Sequence, residues 1–174
     1  MAIRISDNNN IPQVLRRIDE MNTRKARVGY ITGDDYDGGT ITAKGLARVH
    51  EYGVNIPVTD KMRGYLSARF GIHLKATTTH IRIPERSFLR AGSVRATDDV
   101  VQKAREFVPE ALLGNVDVET LFEMLGLELK GKIQEYAINL TSPANSSMTI
   151  GQKGSSNPLV DTGNMIQSME VIVE

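Results

Sequence analysis

The chain has 174 residues, 40% of them apolar, which is enough for one core in a domain whose compact radius of gyration is roughly 16 Å. Only 5% are aromatic and none is tryptophan, so that core has to be mainly aliphatic; the absence of cysteine excludes disulfides, thiolate metal sites and thiol nucleophiles. Lys and Arg number 21 and so do Asp and Glu, a zero formal charge that argues against a dedicated nucleic-acid binder.

Asn10 offers an N-cap and Pro12 suits a first turn. Ile11, Val14, Leu15 and Ile18 then follow at i, i+3, i+4 and i+7, which predicts an amphipathic helix to about Met21 within an N-terminal segment, 1–25. A strand is expected from Ala26 to Thr32, with Val28, Tyr30 and Thr32 on one face. Gly33 to Gly39 is an acidic loop, Thr40 to Thr42 a short extended piece, and Ala43 to Tyr52 a helix stopped by Gly53. Thr59 or Asp60 caps a helix to about Phe70, ended by Gly71. Thr77 to Thr79 leads into a strand, His80 to Ile83, with Ile81 and Ile83 on one face and His80 and Arg82 on the other.

Thr97, with Asp98 and Asp99 in the first turn, predicts the start of another helix whose buried face is Val100, Val101, Ala104 and Phe107. Pro109 should kink or end it, and Gly114 closes the segment. Asp117 is the expected cap of a last long helix carrying Val118, Leu121, Phe122 and Leu125, then Leu129, Ile133, Tyr136 and Ala137. Gly126 and Gly131 weaken it by up to ~1 kcal/mol each relative to Ala. Residues 141–157 are rich in Ser, Asn, Gly and Pro and predict a long flexible loop. Beyond it, Pro158 precedes the apolar pair Leu159 and Val160. Asp161 and Thr162 offer capping oxygens, Gly163 leads into a helical turn from Asn164 to Ser168, and strand-like alternation runs from Met169 to Glu174. With helices and strands interleaved and no internal repeat, the expected fold is a single α+β domain, a small mainly antiparallel sheet packed against several helices.

Chemical motifs are few. In the acidic loop, setting Gly38 at position 6 of a calcium-binding template leaves Gly33 at position 1 and Lys44 at position 12, so two important ligands are missing and a solvated turn is the better reading. His50-Glu51 is not a zinc-protease motif, because position 54 is Val; His73 and His80 make a poor metal pair. No serine lies in a Gly-x-Ser-x-Gly elbow, and Gly151 to Ser156 lacks the spacing of a phosphate loop. Arg82, Arg86, Arg90 and Arg95 form the one basic run. They would face phosphates, or, as the zero net charge favours, pair with Glu85, Asp98, Asp99 or acids of a neighbouring subunit. No catalytic residue, metal or cofactor is expected from this inventory. With no apolar run near the ~18–20 residues of a membrane span and no signal-peptide centre in MAIRISDNNN, no membrane partner is expected either. The expectation is a soluble chain assembled in the cytoplasm.

Three elements stand in a particular order: His50-Glu51-Tyr52-Gly53; Ile83-Pro84-Glu85-Arg86-Ser87-Phe88-Leu89-Arg90; and Pro158-Leu159-Val160-Asp161-Thr162-Gly163 before a short helix and terminal strand. Together, across roughly residues 26 to 174, they resemble the neck proteins of tailed bacteriophages, also described as tail-completion or virion morphogenesis proteins. Residues 58–79 match no pattern of that family. The resemblance implies an α+β structural protein of the virion neck that assembles as a ring, commonly hexameric, at the end of the tail facing the head. Such a ring closes the tail tube and docks the head connector. Its partners would be further copies of itself, connector or stopper proteins, and tail-tube or tail-terminator proteins, with phage DNA passing through it without sequence-specific binding. The residues carrying this role would be His50, Glu51, Gly53, Pro84, Arg86, Phe88, Leu89, Arg90, Pro158, Leu159, Asp161, Thr162 and Gly163. Two other classes stand beside it: a small enzyme or ligand-binding domain using His50, Glu51, Asp34, Asp35 and His80, and a DNA-binding accessory protein using the arginine run.

Overall fold

A computed structural model describes residues 9–146, 149–151 and 156–174. Helix α1 (Ile11–Thr23) starts where the Asn9 side chain accepts the Ile11 N–H at 3.1 Å, with Pro12 in the first turn where no backbone donor is needed. Strand β1 (Ala26–Gly29) follows. Next comes a two-residue hairpin, β2 (Tyr36–Asp37) and β3 (Thr40–Ile41), whose turn has both Gly38 and Gly39 at positive φ, the geometry that lets two strands reverse tightly. Helix α2 (Ala43–Tyr52) is capped by Thr42, which accepts the Gly45 N–H. Strand β4 (Val54–Pro57) and helix α3 (Asp60–Phe70) come next. Of the two candidate caps for α3, Thr59 is the one used: its hydroxyl accepts the Met62 N–H at 3.2 Å. Strand β5 (His80–Ile83), the long helices α4 (Phe88–Leu113) and α5 (Val118–Asn139), the short helix α6 (Asn164–Gln167) and strand β6 (Glu170–Val173) complete the described elements.

The fold is α+β, as expected, and its β structure is distributed over three two-stranded antiparallel ladders, β1–β6, β2–β3 and β4–β5. The first ladder pairs Ala26 with Val173 and ends at Gly29 with Glu170. The expected strand to Thr32 is therefore shorter. Beyond Gly29 the Glu170 carboxylate replaces ladder partners, accepting the Thr32 N–H at 3.0 Å and the Thr32 hydroxyl. These bonds also hold the Glu170 carboxyl below its usual range, Thr32 being the main cause.

Helices α4 and α5 form an antiparallel hairpin, tied by Lys103 to Glu128 at 2.7 Å and Lys132 to Asp99 at 2.9 Å. Phe88 of α4, Ala47 of α2, and Ile133 and Ala137 of α5 meet Leu159, Met165, Ile166 and Met169 in the main core cluster. On α5, Gly126 has a spatial purpose: an added Cβ would lie 2.5 Å from a methyl of Val171, so the helix lies directly against the terminal ladder. Gly131 has no such neighbour.

The expected start of the helix at Thr97 also fails. Helix α4 begins at Phe88, and Thr97 sits inside it, where its hydroxyl donates to the Ser93 carbonyl at 3.1 Å instead of capping. Pro109 also lies within the helix, which runs on to Leu113. Asp117 occupies the N-cap position of α5 without a side-chain capping bond.

Residues 54–83 pack on themselves. Strand β4 pairs with β5 alone (Val54 with Ile83, Pro57 with His80), and α3 touches other elements only peripherally. The link from α3 to β5 is organised by one side chain: the Arg63 guanidinium donates to the carbonyls of Leu74, Lys75, Ala76 and Thr78, the last at 2.5 Å. Tyr65 and Phe70 stack edge to face on this arm, 59% and 43% exposed.

The core makes two effects measurable. Phe88→Ala removes a fully buried ring and should cost about 3–5 kcal/mol in denaturant unfolding. Burial raises the Tyr30 phenol above its unfolded value of 10.0, while its hydroxyl donates to the Met165 carbonyl at 2.6 Å. The folded state thus retains a proton that the unfolded chain loses, so stability should fall as pH rises beyond about 10. Tyr30→Phe should reduce that alkaline slope in pH-dependent melts.

Candidate functional site

The end of α2 and the start of α4 are joined by side chains from the first two sequence elements. Glu51, on the last turn of α2, is 2% exposed. Its carboxylate accepts the backbone N–H groups of Leu89 at 2.8 Å and Arg90 at 3.1 Å, as well as Nε of Arg90 at 2.8 Å. A helix start leaves its first N–H groups without partners inside the helix. Ser87, at the N-cap position, makes no side-chain capping bond, and a residue far away in sequence supplies the cap. The Arg90 guanidinium also reaches the Glu51 carbonyl at 3.1 Å and the Glu85 carboxylate at 2.6 Å, and lies 5.1 Å over the Tyr52 ring. Its pKa is raised, first by Glu51 and then by Glu85.

Arg86 is 3% exposed and turns the other way. It donates to the Pro143 carbonyl at 2.8 Å, the Ala144 carbonyl at 3.2 Å, Asn145 Oδ1 at 3.1 Å and His50 Nδ1 at 3.2 Å. Because Arg86 can only donate, His50 Nδ1 accepts and the ring proton belongs on Nε2. The Arg86 N–H donates in turn to the His50 carbonyl at 2.7 Å. Burial pulls the guanidinium below its ordinary range; at the α2 C-terminus the backbone carbonyls favour a cation. Gly53 makes the approach feasible. It has φ +70, and an added Cβ would stand 2.8 Å from the Glu85 nitrogen and 2.9 Å from the Ile83 carbonyl oxygen.

The third element reaches the same region through the core. Pro158 and Leu159 are buried, and Leu159 packs in the cluster that contains Phe88. Asn157 Oδ1 accepts the N–H groups of Leu159 and Val160, each at 2.9 Å, and its amide donates to the Ile138 carbonyl at 2.5 Å. Of the expected caps, Thr162 accepts the Asn164 N–H at 3.4 Å, while Asp161 is exposed and makes no side-chain bond among the described residues. Gly163, with φ +81, holds the N-cap position of α6. Pro84 and Leu89 are half-buried at the edges of the polar cluster.

The 141–157 loop is anchored where it is described: Arg86 holds 143–145, Ser146 and Thr149 bond at 2.8 Å, and Asn145 donates to the Asn157 carbonyl at 3.3 Å. The phosphate-loop reading falls mainly on residues 152–155, outside the described residues.

Other candidates are not brought together. Asp34 and Asp35 lie by the β2–β3 hairpin, where the Asp34 carbonyl accepts from Thr42 and the Asp35 carboxylate pairs with Arg48 at 2.7 Å. Lys44, at the calcium template's last position, donates to the Ile31 and Gly33 carbonyls. His73 and His80 sit on the arm, bonded to Ser67 and Thr79. Among the described residues no three acidic or histidine side chains converge as a metal site, and no helix is long and apolar enough to cross a membrane. In the arginine run, Arg86 is committed to carbonyls, Arg90 to Glu51 and Glu85, and Arg95 lies 5.2 Å over the Tyr136 ring; only Arg82 is left projecting from the arm. Pairing of Arg90 with Glu85 was expected, pairing with Glu51 was not. Comparison of the chain with protein-family models, curated protein sequences and solved structures finds no match.

Glu51→Ala should destabilise the fold by about 2–4 kcal/mol, combining a lost cap with newly unpaired buried donors. Glu51→Gln, which keeps one acceptor oxygen, should cost less. Hydrogen exchange should accelerate at the Leu89 and Arg90 amides in both. Gly53→Ala should cost about 1–3 kcal/mol through positive φ and the clash with Glu85, read from the shift in urea midpoint.

Proposed function

We propose that this chain is a structural protein of the tailed-phage head–tail junction, of the tail-completion type. It forms a ring, commonly hexameric, that closes the tail tube and presents a docking surface to the head connector. One observation carries the reading. The three sequence elements behind the resemblance converge on one region, and there the two buried charged side chains each bond to backbone groups as well as to side chains of that region. Glu51 and Arg86 set the angle between α2 and α4, which is what a part held under load between head and tail requires.

A surface for assembly supports the same reading. On α1, Ile11, Leu15 and Ile18 form an exposed apolar edge at helical spacing, and Leu113 is exposed at the α4 end nearby, where Arg17 of α1 donates to the Leu112 carbonyl at 2.8 Å. Apolar rows of this kind are covered when copies or partners assemble.

Deleting the gene in its phage should leave filled heads and separate tails that fail to join, or tails of abnormal length, in electron micrographs of lysates. Intact infectious virions would overturn the proposal. Crosslinked tails should contain the protein as an oligomer, whereas the purified chain should be mainly monomeric at micromolar concentration in physiological salt.

A further inference from the structure

The zero net charge conceals a segregation. From Val54 to Pro84 the chain carries Lys61, Arg63, Arg69, Lys75 and Arg82 against Asp60 alone, a net of +4; the remaining residues carry 16 cations and 20 anions, a net of −4. That stretch is the self-packed arm of β4, α3 and β5. Arg63 is committed to four loop carbonyls, but Lys61, Arg69, Lys75 and Arg82 are exposed and have no ion-pair partner among the described residues. Between them stand the exposed rings of Tyr65 and Phe70, side chains of the kind that anchor protein interfaces.

The opposite charge has its own place. Between α1 and the start of α5 an open cleft of about 340 Å³ is lined by Glu20, Asp117, Glu119 and Glu123. Of its lining residues Arg17 is cationic and is bound to the Leu112 carbonyl; Arg24, outside the lining, pairs with Glu20 at 3.3 Å and stands 3.9 Å from Glu119. Asp117 and Glu123 have no ion-pair partner among the described residues. The two surfaces lie at opposite ends of α4: the arm enters it through Pro84–Ser87, and the cleft begins at Gly114. A 26-residue helix spans about 39 Å, several Debye lengths at physiological salt. One chain cannot bring its own arm to its own cleft.

We infer that the basic arm of one copy docks in the acidic α1–α5 cleft of the next, with Tyr65 and Phe70 at the centre of the contact and Lys61, Arg69, Lys75 and Arg82 at its rim. Such a contact is heterologous, and heterologous contacts close into rings or run on as filaments. The inference names the contact between copies and rests on the neck reading for the ring; the contact itself rests on charge and position. It also agrees with the expectation that the purified chain is mainly monomeric in physiological salt, since exposed charge pairs contribute little singly and are screened by salt.

Sedimentation velocity on the full chain, at about 20 mM and about 500 mM salt, tests it. Self-association should appear at low salt and fade at high salt. Lys61→Glu, Arg69→Glu and Lys75→Glu combined should weaken it at least about tenfold, with an unchanged thermal melt because these side chains are exposed. Asp117→Lys with Glu123→Lys should weaken it likewise, and joining both sets in one chain should restore it. A chain that stays monomeric at low salt up to about 1 mM, a contact only marginally favourable at such concentrations, would overturn the inference. So would association indifferent to the arm reversal, or failure of the double reversal to restore it. Retention of duplex DNA that the arm reversal alone abolishes, with self-association unchanged, would instead assign the arm to nucleic acid. Unjoined tails in the gene deletion, together with arm-indifferent association, would remove this inference and leave the neck reading standing.

Discussion

A carboxylate delivered from one helix into the first turn of another holds this fold in register. Without the Glu51 contact, the opening N–H groups of α4 would be buried without acceptors, because the local residue, Ser87, does not cap them. With it, α4 starts at Phe88, and that start fixes the facing of every later turn. The Phe88 ring enters the core, Gly92 comes against Ile133, and Asp99 and Lys103 face Lys132 and Glu128 across the hairpin. Arg86, two residues ahead of the helix, then reaches back to residues 143–145 and orients the chain that leads to Leu159.

The cluster is costly to assemble and costly to break. Burying charge is unfavourable unless the partners are complete. Here they are: no buried side-chain nitrogen or oxygen among the described residues lacks a hydrogen-bond partner. Glu51 is met by N–H groups and by Arg90, and Arg86 by the carbonyls of Pro143 and Ala144, by Asn145 Oδ1 and by His50 Nδ1. Such an arrangement favours one angle between α2 and α4 over its neighbours, because a small rotation strands several groups together. That is specificity of shape, the property the proposed ring would require of its subunit.

The sequence made local features legible and long-range ones obscure. Apolar spacing places α1 and α5, Gly53 marks the end of α2, and Thr59 and Gly71 bracket α3, because those boundaries are written in adjacent residues. The start of α4 is not legible in the sequence: Asp98 and Asp99 after Thr97 mimic a first turn, while the true cap lies 38 residues away from Leu89 and leaves no local trace. Strand β1 is shorter than its alternation suggests, because Tyr30 and Thr32 continue the pattern while bonding to other partners. Grouping Arg82 with Arg86, Arg90 and Arg95 followed their spacing, but the structure divides them among carbonyls, carboxylates, a ring and the arm. The arm did have a signal, an unbroken stretch from Lys61 to Pro84 without a single acid, hidden by the neutral total. Gly126 reads as a weak point in a helix until Val171 is seen to occupy the space a side chain would need.

The pairing of Val54 with Ile83 places both ends of the arm on facing strand residues, roughly 5 Å apart in an antiparallel ladder. Residues 54–83 are thus bounded like an insertion cassette: the chain leaves the body at Gly53, folds around Arg63 without drawing on the main core, and returns beside its point of departure. Exchange of that cassette, in length or in charge, would alter the face the arm presents while the α2–α4 junction stays as it is.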